Sequence, residues 1–489
     1  VTATTGNITD VVALAVSGTT TLVTSADDGT IVLDVTTNAF TGALTITTND
    51  SSGTDADVTI DGGTTALIIA ASTIDGDLTL RSGNSSGITD TGTVTVGGNA
   101  SLTTDDNAGV INLGTMAVDG SFTLAPNGAG AVTIVNDAGL TLAASTMGGA
   151  FSGTATTGNI TDSGALAITG TTTLVTSADD GTIVLDVTTN AFTGALTITT
   201  NDSSGTDADV TIDGGTTALI IAASTIDGDL TLRSGNSSGI TDTGTVTVGG
   251  NASLTTDDNA GVINLGTMAV DGSFTLAPNG AGAVTIVNDA GLTLAASTMG
   301  GTFSGTATTG DITDNGTLAI TGAATFKTGA TGSNITLDSS SNAFSAAVTL
   351  IADAGNEAFG NITFVDSAGI SFATSAGSNG DLFINGATDG AVGGNLNVTA
   401  TTGNITDVVA LAVSGTSSFT TSASNGSITL NTSTNALTGA VTLSTTGSSG
   451  NATIDNGTTA LNIAASTIGG NLTVTSGAGA GITDSGTVT

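Results

Sequence analysis

The chain has 489 residues, of which 72 are Gly and 2 are Pro, and it contains no Cys, His, Trp or Tyr. Three Lys and Arg residues stand against 41 acidic residues, which gives a formal net charge of −38. Phosphate recognition needs Lys and Arg, so this balance argues against nucleic acid or an anionic membrane as a partner and favours divalent cations. The longest apolar run, near residues 66–71, is too short to cross a bilayer, so we expect no membrane insertion in this segment.

The composition predicts an all-β protein. The sequence is dominated by Thr, Gly, Ala, Ser, Val, Ile, Asp and Asn, which are typical of strands and tight turns. At 38% hydrophobic residues the chain is too apolar for a disordered acidic tail. The lack of Cys fits an exported protein, and because no signal peptide is visible at the start, we interpret the sequence as a segment of a longer protein.

A long repeat organises the chain. Residues 2–153 and 154–305 differ at five positions when they are aligned with an offset of 152, and residues 398–416 repeat residues 1–19 without change. We therefore predict block 1 at residues 1–153, a near-identical block 2 at 154–305, a divergent shorter block at 306–397 and a partial block at 398–489. Repeats of this kind stack on their neighbours, so we expect one continuous rod rather than separate domains.

A shorter period lies inside each block. Short β-type segments recur after Gly or polar turns, and one set of openings returns after 152 residues. The openings of this set are Ile8, Ile31, Val58, Ile88, Ile111 and Val132, and Ile160 begins the next set. These steps predict six coils in a block and about twenty coils of 21–30 residues in the chain. The fold class that follows is a parallel β-helix (β-solenoid), which we expect to be right-handed.

The corners and core of the predicted coils have recurrent residues. Asp-Gly and Gly-Gly pairs, as at Gly97-Gly98, predict corners with the positive φ that Gly tolerates. An Asn-Ala-Phe or Asn-Ala-Leu element recurs at Asn38, and we expect its Asn to turn the chain or bond to backbone amides while Phe40 packs in the core. Met116 and Met147 are expected to fill the core.

The sequence resembles the repeats of very large bacterial surface exoproteins. The motifs are Gly-Asn-Ile-Thr-Asp, Gly-Thr-Leu-Ala-Ile-Thr-Gly at 316–322 and Gly-Gly-Asn-Leu-Thr-Val at 469–474. These motifs are similar to those of filamentous-haemagglutinin-like and autotransporter-passenger β-solenoid adhesins over essentially the whole chain. The resemblance implies an exported, elongated stalk or fibre at the cell surface. No secretion domain or terminal binding module is visible in the sequence, which leaves adhesive specificity open.

Acidic loops predict a calcium site. The segment 49–57 places several oxygen ligands around a Gly, as a hard cation requires, and it recurs at 201–209. The candidate ligands are Asp50, Asp55, Asp57, Asp105, Asp106, Asp202, Asp207 and Asp209. We also expect a carboxylate stack, relieved by ions or splayed side chains, at Asp10, Asp34, Asp61 and Asp90. The alternative is that Asp and Asn serve only as turn residues that keep the edge soluble.

The function that follows is structural. We predict an extracellular fibre, stalk or sheath component that carries no catalytic residues and self-associates or stacks end to end through strand pairing. An adhesin that binds glycan or protein on another surface is the alternative. A polysaccharide-active β-helix enzyme is disfavoured by the lack of His and sugar-stacking Trp and Tyr. Ice binding by outward Thr-x-Thr pairs is disfavoured because the coils vary in length.

Overall fold

The structure, a computed structural model, describes residues 1–49, 51, 55–203, 207–352, 360–373, 381–384 and 391–489. These residues contain no helix, and their strands stack in parallel as a β-solenoid of about 21 turns. None of them belongs to a helix long and apolar enough to cross a membrane. Two compact units, Val1–Gly250 and Asn251–Thr489, are distinguished by their internal contacts and are called unit 1 and unit 2.

The described residues of unit 1 form two long parallel ladders and two short ones. The strands of the first ladder are Thr2–Ala3, Thr20–Thr24, Leu44–Thr47, Leu67–Ile69, Ser72–Ile74, Ile88–Asp90, Val94–Val96, Ile111–Val118, Val132–Asn136, Phe151–Ala155, Thr172–Asp179, Leu196–Asn201, Leu219–Ile221, Ser224–Ile226, Ile240–Asp242 and Val246–Val248. The strands of the second ladder are Ile8–Thr9, Ile31–Leu33, Val58–Asp61, Leu78–Ser82, Ala100–Thr104, Ser121–Pro126, Leu140–Leu142, Ile160–Asp162, Ile183–Leu185, Val210–Asp213 and Leu230–Ser234. The short ladders are Ala15–Val16 with Ala39–Phe40, and Ser145–Met147 with Leu166–Ile168 and Ala191–Phe192.

Unit 2 has the same organisation. Its first ladder contains Ile263–Val270, Val284–Asn288, Phe303–Ala307, Ala324–Thr328, Val348–Ile351, Ile370–Phe372, Asp381–Ile384, Ile405–Asp407, Ile428–Leu430, Ala452–Asp455 and Leu472–Thr475. Its second contains Ala252–Thr256, Ser273–Pro278, Leu292–Leu294, Ile312–Asp314, Ile335–Leu337, Ile362–Asp366, Leu396–Ala400, Ser417–Ser424, Ala440–Thr446, Leu461–Ile463 and Ile482–Asp484. The short strands are Ser297–Met299, Leu318–Ile320 and Ala343–Phe344, and then Ala391–Val392, Ala412–Val413 and Ala436–Leu437.

The alternating sequence makes the core. Within a ladder, every second side chain points inward and stacks on its counterpart in the next turn, as Leu80 does between Ile60 and Leu102. These side chains are at most 1% exposed, and burial of each such group contributes about 1.5–3 kcal/mol. Phe40 and Met116 are equally buried, so their predicted core role is confirmed.

The block contains seven turns, which corrects the prediction of six. The ladder that starts at Ile8 passes through Ile31, Val58, Leu78, Ala100, Phe122 and Leu142 before it enters the strand opened by Ile160, with steps of 20–27 residues. The prediction placed Ile88 directly after Val58. Ile88 instead pairs with Leu67 in the other long ladder. Two ladders open with the same triplet pattern, and the pattern alone does not separate them.

The corner glycines are required for close packing and not for positive φ, which corrects a second prediction. Gly98 and Gly120 are not among the positive-φ glycines, whereas Gly63 and Gly87 are. A Cβ on Gly120 would lie 2.5 Å from the carbonyl oxygen of Gly98 in the turn below. The corners therefore need Gly because successive backbones meet there.

Acidic and amide side chains tie the corners together. The Oδ1 atom of Asp57 accepts the backbone N–H of Asp77 at 2.8 Å, Asp77 accepts that of Asn99 at 2.7 Å, and Asn99 accepts that of Ser121 at 2.9 Å. Each bond joins one turn to the next, and it gives an acceptor to a backbone N–H at a corner between strands. The recurrence of Asp and Asn at corners thus has a structural reason.

The expected carboxylate stack does not form as one column. Arg81 lies beside Asp61 in the ladder, at the position expected for Asp90, and Asp90 belongs to the other ladder. Asp90 instead accepts the backbone N–H groups of Gly114 at 3.0 Å and Thr115 at 2.7 Å. Hydrogen bonds to Asp90, and the Arg81 cation 3.9 Å from the Asp61 carboxylate, therefore compensate these two charges.

A buried Asn holds the Asn-Ala-Phe element, as predicted. Asn190 is 1% exposed, its Oδ1 accepts the N–H of Leu166 at 2.8 Å, and its Nδ2 donates to Asp162 Oδ2 at 2.6 Å. The same pair of contacts recurs at Asn38, Asn342 and Asn435. Burial raises the pKa of Asp162, while the hydrogen bond from Asn190 opposes that rise.

Candidate functional site

A tight turn in unit 1 sets up the candidate site. The strand Thr172–Asp179 ends at Asp179, and Asp180 follows in a left-handed conformation with φ of 59°. The N–H of Asp180 donates to the carbonyl of Asn201 at 3.1 Å, and the Thr176 hydroxyl closes the turn on the carbonyl of Gly181 at 2.9 Å. Asp tolerates this conformation better than most residues, so the turn can form with an acid at this position.

The next turn brings a third carboxylate to the same place. Carboxylate oxygens of Asp179, Asp180 and Asp202 lie within 4.8 Å of one another, with Asp179 and Asp180 exposed and Asp202 half-buried. These three residues are called the acidic cluster. Ser203 fixes one edge of the cluster, because its N–H donates to Asp179 Oδ1 at 2.6 Å and its hydroxyl to Asp179 Oδ2 at 2.9 Å. Asp202 Oδ2 accepts the N–H of Asp207 at 3.1 Å.

The electrostatics of the cluster favour a bound cation or proton. Loss of hydration raises the pKa of Asp180, and the negative charges of Asp179, Asp202 and Asp207 raise it further. Since Asp180 remains exposed, water screens this repulsion and a cation can reach the carboxylates from solvent. Calcium takes carboxylate oxygens at about 2.3–2.6 Å and completes its shell with water. Three converging carboxylates supply suitable ligands for such an ion.

The same turn occurs elsewhere with different charges. In block 1, Asp28 has φ of 56°, and Asp27 Oδ1 accepts the N–H of Ser51 at 2.7 Å. In unit 2, Asn425 has φ of 64° and follows Ser424, so this copy of the turn carries no acid. The turn geometry therefore does not require the carboxylates of the acidic cluster.

The predicted calcium ligands divide among several environments. Asp202 belongs to the acidic cluster, and Asp207 lies near enough to raise the pKa of Asp180. Asp209 Oδ1 accepts the N–H of Asp229 at 2.7 Å, as Asp57 does for Asp77 in the first copy.

The other predicted ligands that the structure describes lie outside the cluster. Asp55 accepts the N–H of Asp57 through its carbonyl at 3.0 Å. Asp105 pairs with Arg81, and Asp106 accepts the N–H of Ala108 at 2.9 Å within its own turn. Asp50 lies outside the described residues.

Sequence reasoning missed Asp179 and Asp180. They lie one turn before the loop that the prediction singled out, and residues that far apart do not form a local motif. The available signal was the separation of Asp179 and Asp202 by 23 residues, which is one of the coil steps in the block. A search for acids separated by one coil would have found the pair.

A polar cleft is the second candidate site in unit 1. Its volume is about 430 Å³, and it crosses several turns. Arg81 crosses the cleft and binds Asp105 through two hydrogen bonds, Nε to Oδ2 at 2.8 Å and a terminal nitrogen to Oδ1 at 2.9 Å. The hydrogen bond and the charge of Asp105 raise the pKa of Arg81. The cleft is lined by Thr36, Asp61, Gly63, Thr64, Arg81, Gly83, Asp105, Asp106, Asn107 and Asn127.

Comparisons with known proteins identify a repeat family. The family described as repeats of unknown function, DUF5649, matches residues 1–47, 55–118, 129–199, 207–271, 281–351, 359–444 and 449–489. No curated protein and no solved structure gives a significant match. The matched segments cover most of the sequence. The chain therefore belongs to the family of repeats of unknown function DUF5649.

Proposed function

We propose that the chain is a structural segment of an extracellular bacterial fibre, stalk or sheath. The observation that carries this proposal is the parallel strand pairing that joins successive turns in the described residues of each unit, seen in registers such as Leu78–Ala100 in unit 1 and Leu396–Ser417 in unit 2. A load along the stacking direction is then shared by many parallel backbone bonds and by the buried apolar stacks.

The resemblance to filamentous-haemagglutinin-like and autotransporter-passenger repeats supports an extracellular location. It rests on the corner and strand motifs of the sequence, such as residues 469–474, and the repeats of the matched family have no function attached to them. The acidic exterior is consistent with this role, since like charges keep neighbouring solenoids from aggregating sideways. Successive segments would join by the same parallel strand pairing that links the turns.

Calcium binding at the acidic cluster is part of the proposal. The neutral turn at Ser424 and Asn425 has the same backbone conformation, so the turn does not need acids in order to form. The convergence of Asp179, Asp180 and Asp202 therefore supports a role in binding a cation. An ion at the cluster would bridge two successive turns and relieve the repulsion that raises the pKa of Asp180. The cluster would then stiffen the solenoid at each acidic copy of the turn.

Electron microscopy of the native material, with and without a calcium chelator, tests the structural role. Seven turns at about 4.8 Å each predict a repeat near 34 Å along the fibre. Long uniform fibres with this repeat would support the proposal, and fraying in chelator alone would support the role of calcium. Short discrete particles with no self-association would contradict a fibre component.

An adhesin that binds glycans is the second candidate, and the polar cleft at Arg81 favours it. Carboxylates, amides and a guanidinium bond well to sugar hydroxyls, and about 430 Å³ accommodates a short oligosaccharide. A glycan array probed with the full chain and with Arg81→Ala, combined with Arg233→Ala in the second copy, tests this function. Binding that disappears in the variant would support an adhesin, and the absence of any bound glycan would argue against it.

A further inference from the structure

An Asn side chain fills a recurrent buried slot in unit 2. Asn288 Oδ1 accepts the N–H of Val270 at 2.9 Å, and its Nδ2 donates to the carbonyl of Val270 at 3.0 Å. Asn456 makes the same two contacts with Leu437, at 2.7 Å and 3.0 Å. Both side chains are fully buried. The slot therefore needs a group that accepts one hydrogen bond and donates another to the same residue.

Asp366 occupies the equivalent slot in an intermediate turn. Its Oδ1 accepts the N–H of Phe344 at 3.2 Å, which is the accepting half of the Asn contact. The following residue also matches, because the Ser367 N–H donates to the carbonyl of Asn342 at 2.7 Å, as the N–H after Asn288 donates to Met268. Asp366 is 2% exposed. A carboxylate has no proton with which to make the donating half, whereas a neutral carboxyl has one.

We propose that Asp366 is a proton-binding site whose neutral carboxyl donates through Oδ2 to the carbonyl oxygen of Phe344. Protonated Asp366 then reproduces the two-way contact of Asn288 and Asn456. Ionised Asp366 leaves the Phe344 carbonyl without its donor and places a buried negative charge beside it. Protonation in acid therefore tightens this part of unit 2.

The surroundings of Asp366 contain no compensating charge on the strands that contact it. Its own strand Ile362–Asp366 pairs with Ile335–Leu337 and Leu396–Ala400, and none of these strands carries another titratable side chain. The strands Ala343–Phe344 and Ile370–Phe372 carry none either. Among the described residues, the acids of the adjoining strands and turns are Asp338, which follows Leu337, and Asp314, which accepts a hydrogen bond from Asn342. Asp407 pairs with Phe372 and Asp381 with Ser371 in the strand register.

The direction of the proton equilibrium agrees with this geometry. Burial raises the pKa of Asp366 above its usual 3.8, and backbone hydrogen bonds from Phe344, Ala368 and Ser367 oppose the rise. The folded chain thus holds the proton more tightly than the unfolded chain. Local stability is greatest below pH 3.8, falls as pH rises from 3.8 through the raised pKa, and stays low above it.

Local hydrogen exchange of the full chain tests the proposal. Protection of the Phe344 amide, corrected for the intrinsic exchange rate, is measured between acid and neutral pH in the wild type and in Asp366→Asn. We expect the wild type to gain protection on acidification, and the variant to be protected roughly tenfold more than wild type at pH 7. The two proteins should converge near the usual pKa of Asp. If the ratio of variant to wild-type protection at the Phe344 amide were the same at every pH, the proposal would be overturned.

The reverse substitution keeps the test decisive if Asp366→Asn does not fold. Asn288→Asp places a carboxyl in the same slot in block 2, the block before the one that contains Asp366. The Val270 amide should then lose protection at neutral pH and recover it in acid. Loss without recovery would show that the slot cannot use a protonated carboxyl, and it would overturn the proposal.

Discussion

Asp180 and Asn425 adopt the same left-handed backbone conformation, with φ of 59° and 64°, at the same point of two copies of the repeat. Each residue also donates its N–H to a carbonyl of the next turn, Asp180 to Asn201 at 3.1 Å and Asn425 to Thr446 at 2.8 Å. The protein thus contains a neutral version of its own acidic turn. This internal pair supplies a substitution that changes charge while it keeps the backbone.

The first prediction uses that substitution to test calcium binding. Asp179→Ser with Asp180→Asn, made together with Asp27→Ser and Asp28→Asn, should lower the calcium stoichiometry measured by isothermal titration calorimetry. The variant should keep the β circular-dichroism spectrum, because Ser424 and Asn425 already support this turn. In chelator its melting temperature should equal or exceed that of the wild type, since repulsion around Asp180 is removed.

A control at other exposed acids removes charge without touching the cluster. Asp119→Asn, with Asp271→Asn in the second copy, neutralises exposed acids that lie outside the acidic cluster. This control should bind calcium like the wild type. Equal calcium binding by the control and the cluster variant would show that the ions respond to general charge and not to the site.

The sequence predicted the ladders well because they obey a two-residue alternation. Leu80 and Leu102 stack as expected, and Phe40 is buried as expected. The number of turns in the block was wrong because Ile88 and Val58 open strands with the same pattern in two different ladders. Strand periodicity identifies a strand, whereas the pairing partner depends on the path of the whole coil.

The candidate site could be predicted only in part. Asp202 was found from its own loop, but Asp179 and Asp180 come from the previous turn and meet it only through the solenoid register. Asp105 shows the opposite case. It was a reasonable ligand by residue type, but the structure pairs it with Arg81, which lies one turn earlier. Contacts between turns follow from register, and one sequence does not give the register directly.

The second prediction concerns the buried Asn pair. Asn190→Ala should destabilise the surrounding turns by about 1–3 kcal/mol, because the buried N–H of Leu166 loses its acceptor. The pKa of Asp162 should rise further, because the Asn190 hydrogen bond now lowers it. The defect should therefore be largest at neutral pH and shrink as pH falls through the folded pKa of Asp162.

Exchange of the Leu166 amide with pH is the measurement for this pair. Asn159→Ala is the control, because Asn159 is exposed and its side-chain oxygen accepts the N–H of Thr182 at 2.9 Å. The control should change protection of Leu166 little. A defect in Asn190→Ala that did not change with pH would argue that the carboxyl of Asp162 is not coupled to it.

The third prediction concerns the corner glycines. Gly98→Val should lower the melting temperature by several degrees, because a Cβ at Gly98 would collide with Asp77 Oδ1 and lie 2.9 Å from its backbone nitrogen. That oxygen is the acceptor for Asn99, so the corner bond between two turns would also be lost. Gly114→Val is the matched control, since nothing lies within 4 Å of a Cβ there. Equal melting of the two variants would contradict the close-approach explanation.

The fourth prediction concerns an aromatic stack in unit 2. Phe326 lies between Phe303 and Phe344, with ring centroids 5.0 Å and 6.1 Å away. In unit 1 the corresponding position is Leu174, which pairs with Gly153 as Phe326 pairs with Gly305. Phe326→Ala should cost about 3–5 kcal/mol, because the neighbouring turns cannot collapse onto the space without breaking their ladders.

The Leu in unit 1 supplies the control for the stack. Phe326→Leu restores the residue that another copy of the repeat uses, so it should cost less than about 1.5 kcal/mol. Because a repeat array can open locally, the measurement is hydrogen exchange across residues 303–328 and not a single melting temperature. We expect rapid exchange there in Phe326→Ala and near-wild-type protection in Phe326→Leu. Similar losses in both variants would contradict this explanation, because they would mean that an aliphatic side chain cannot replace the ring of Phe326 in these turns.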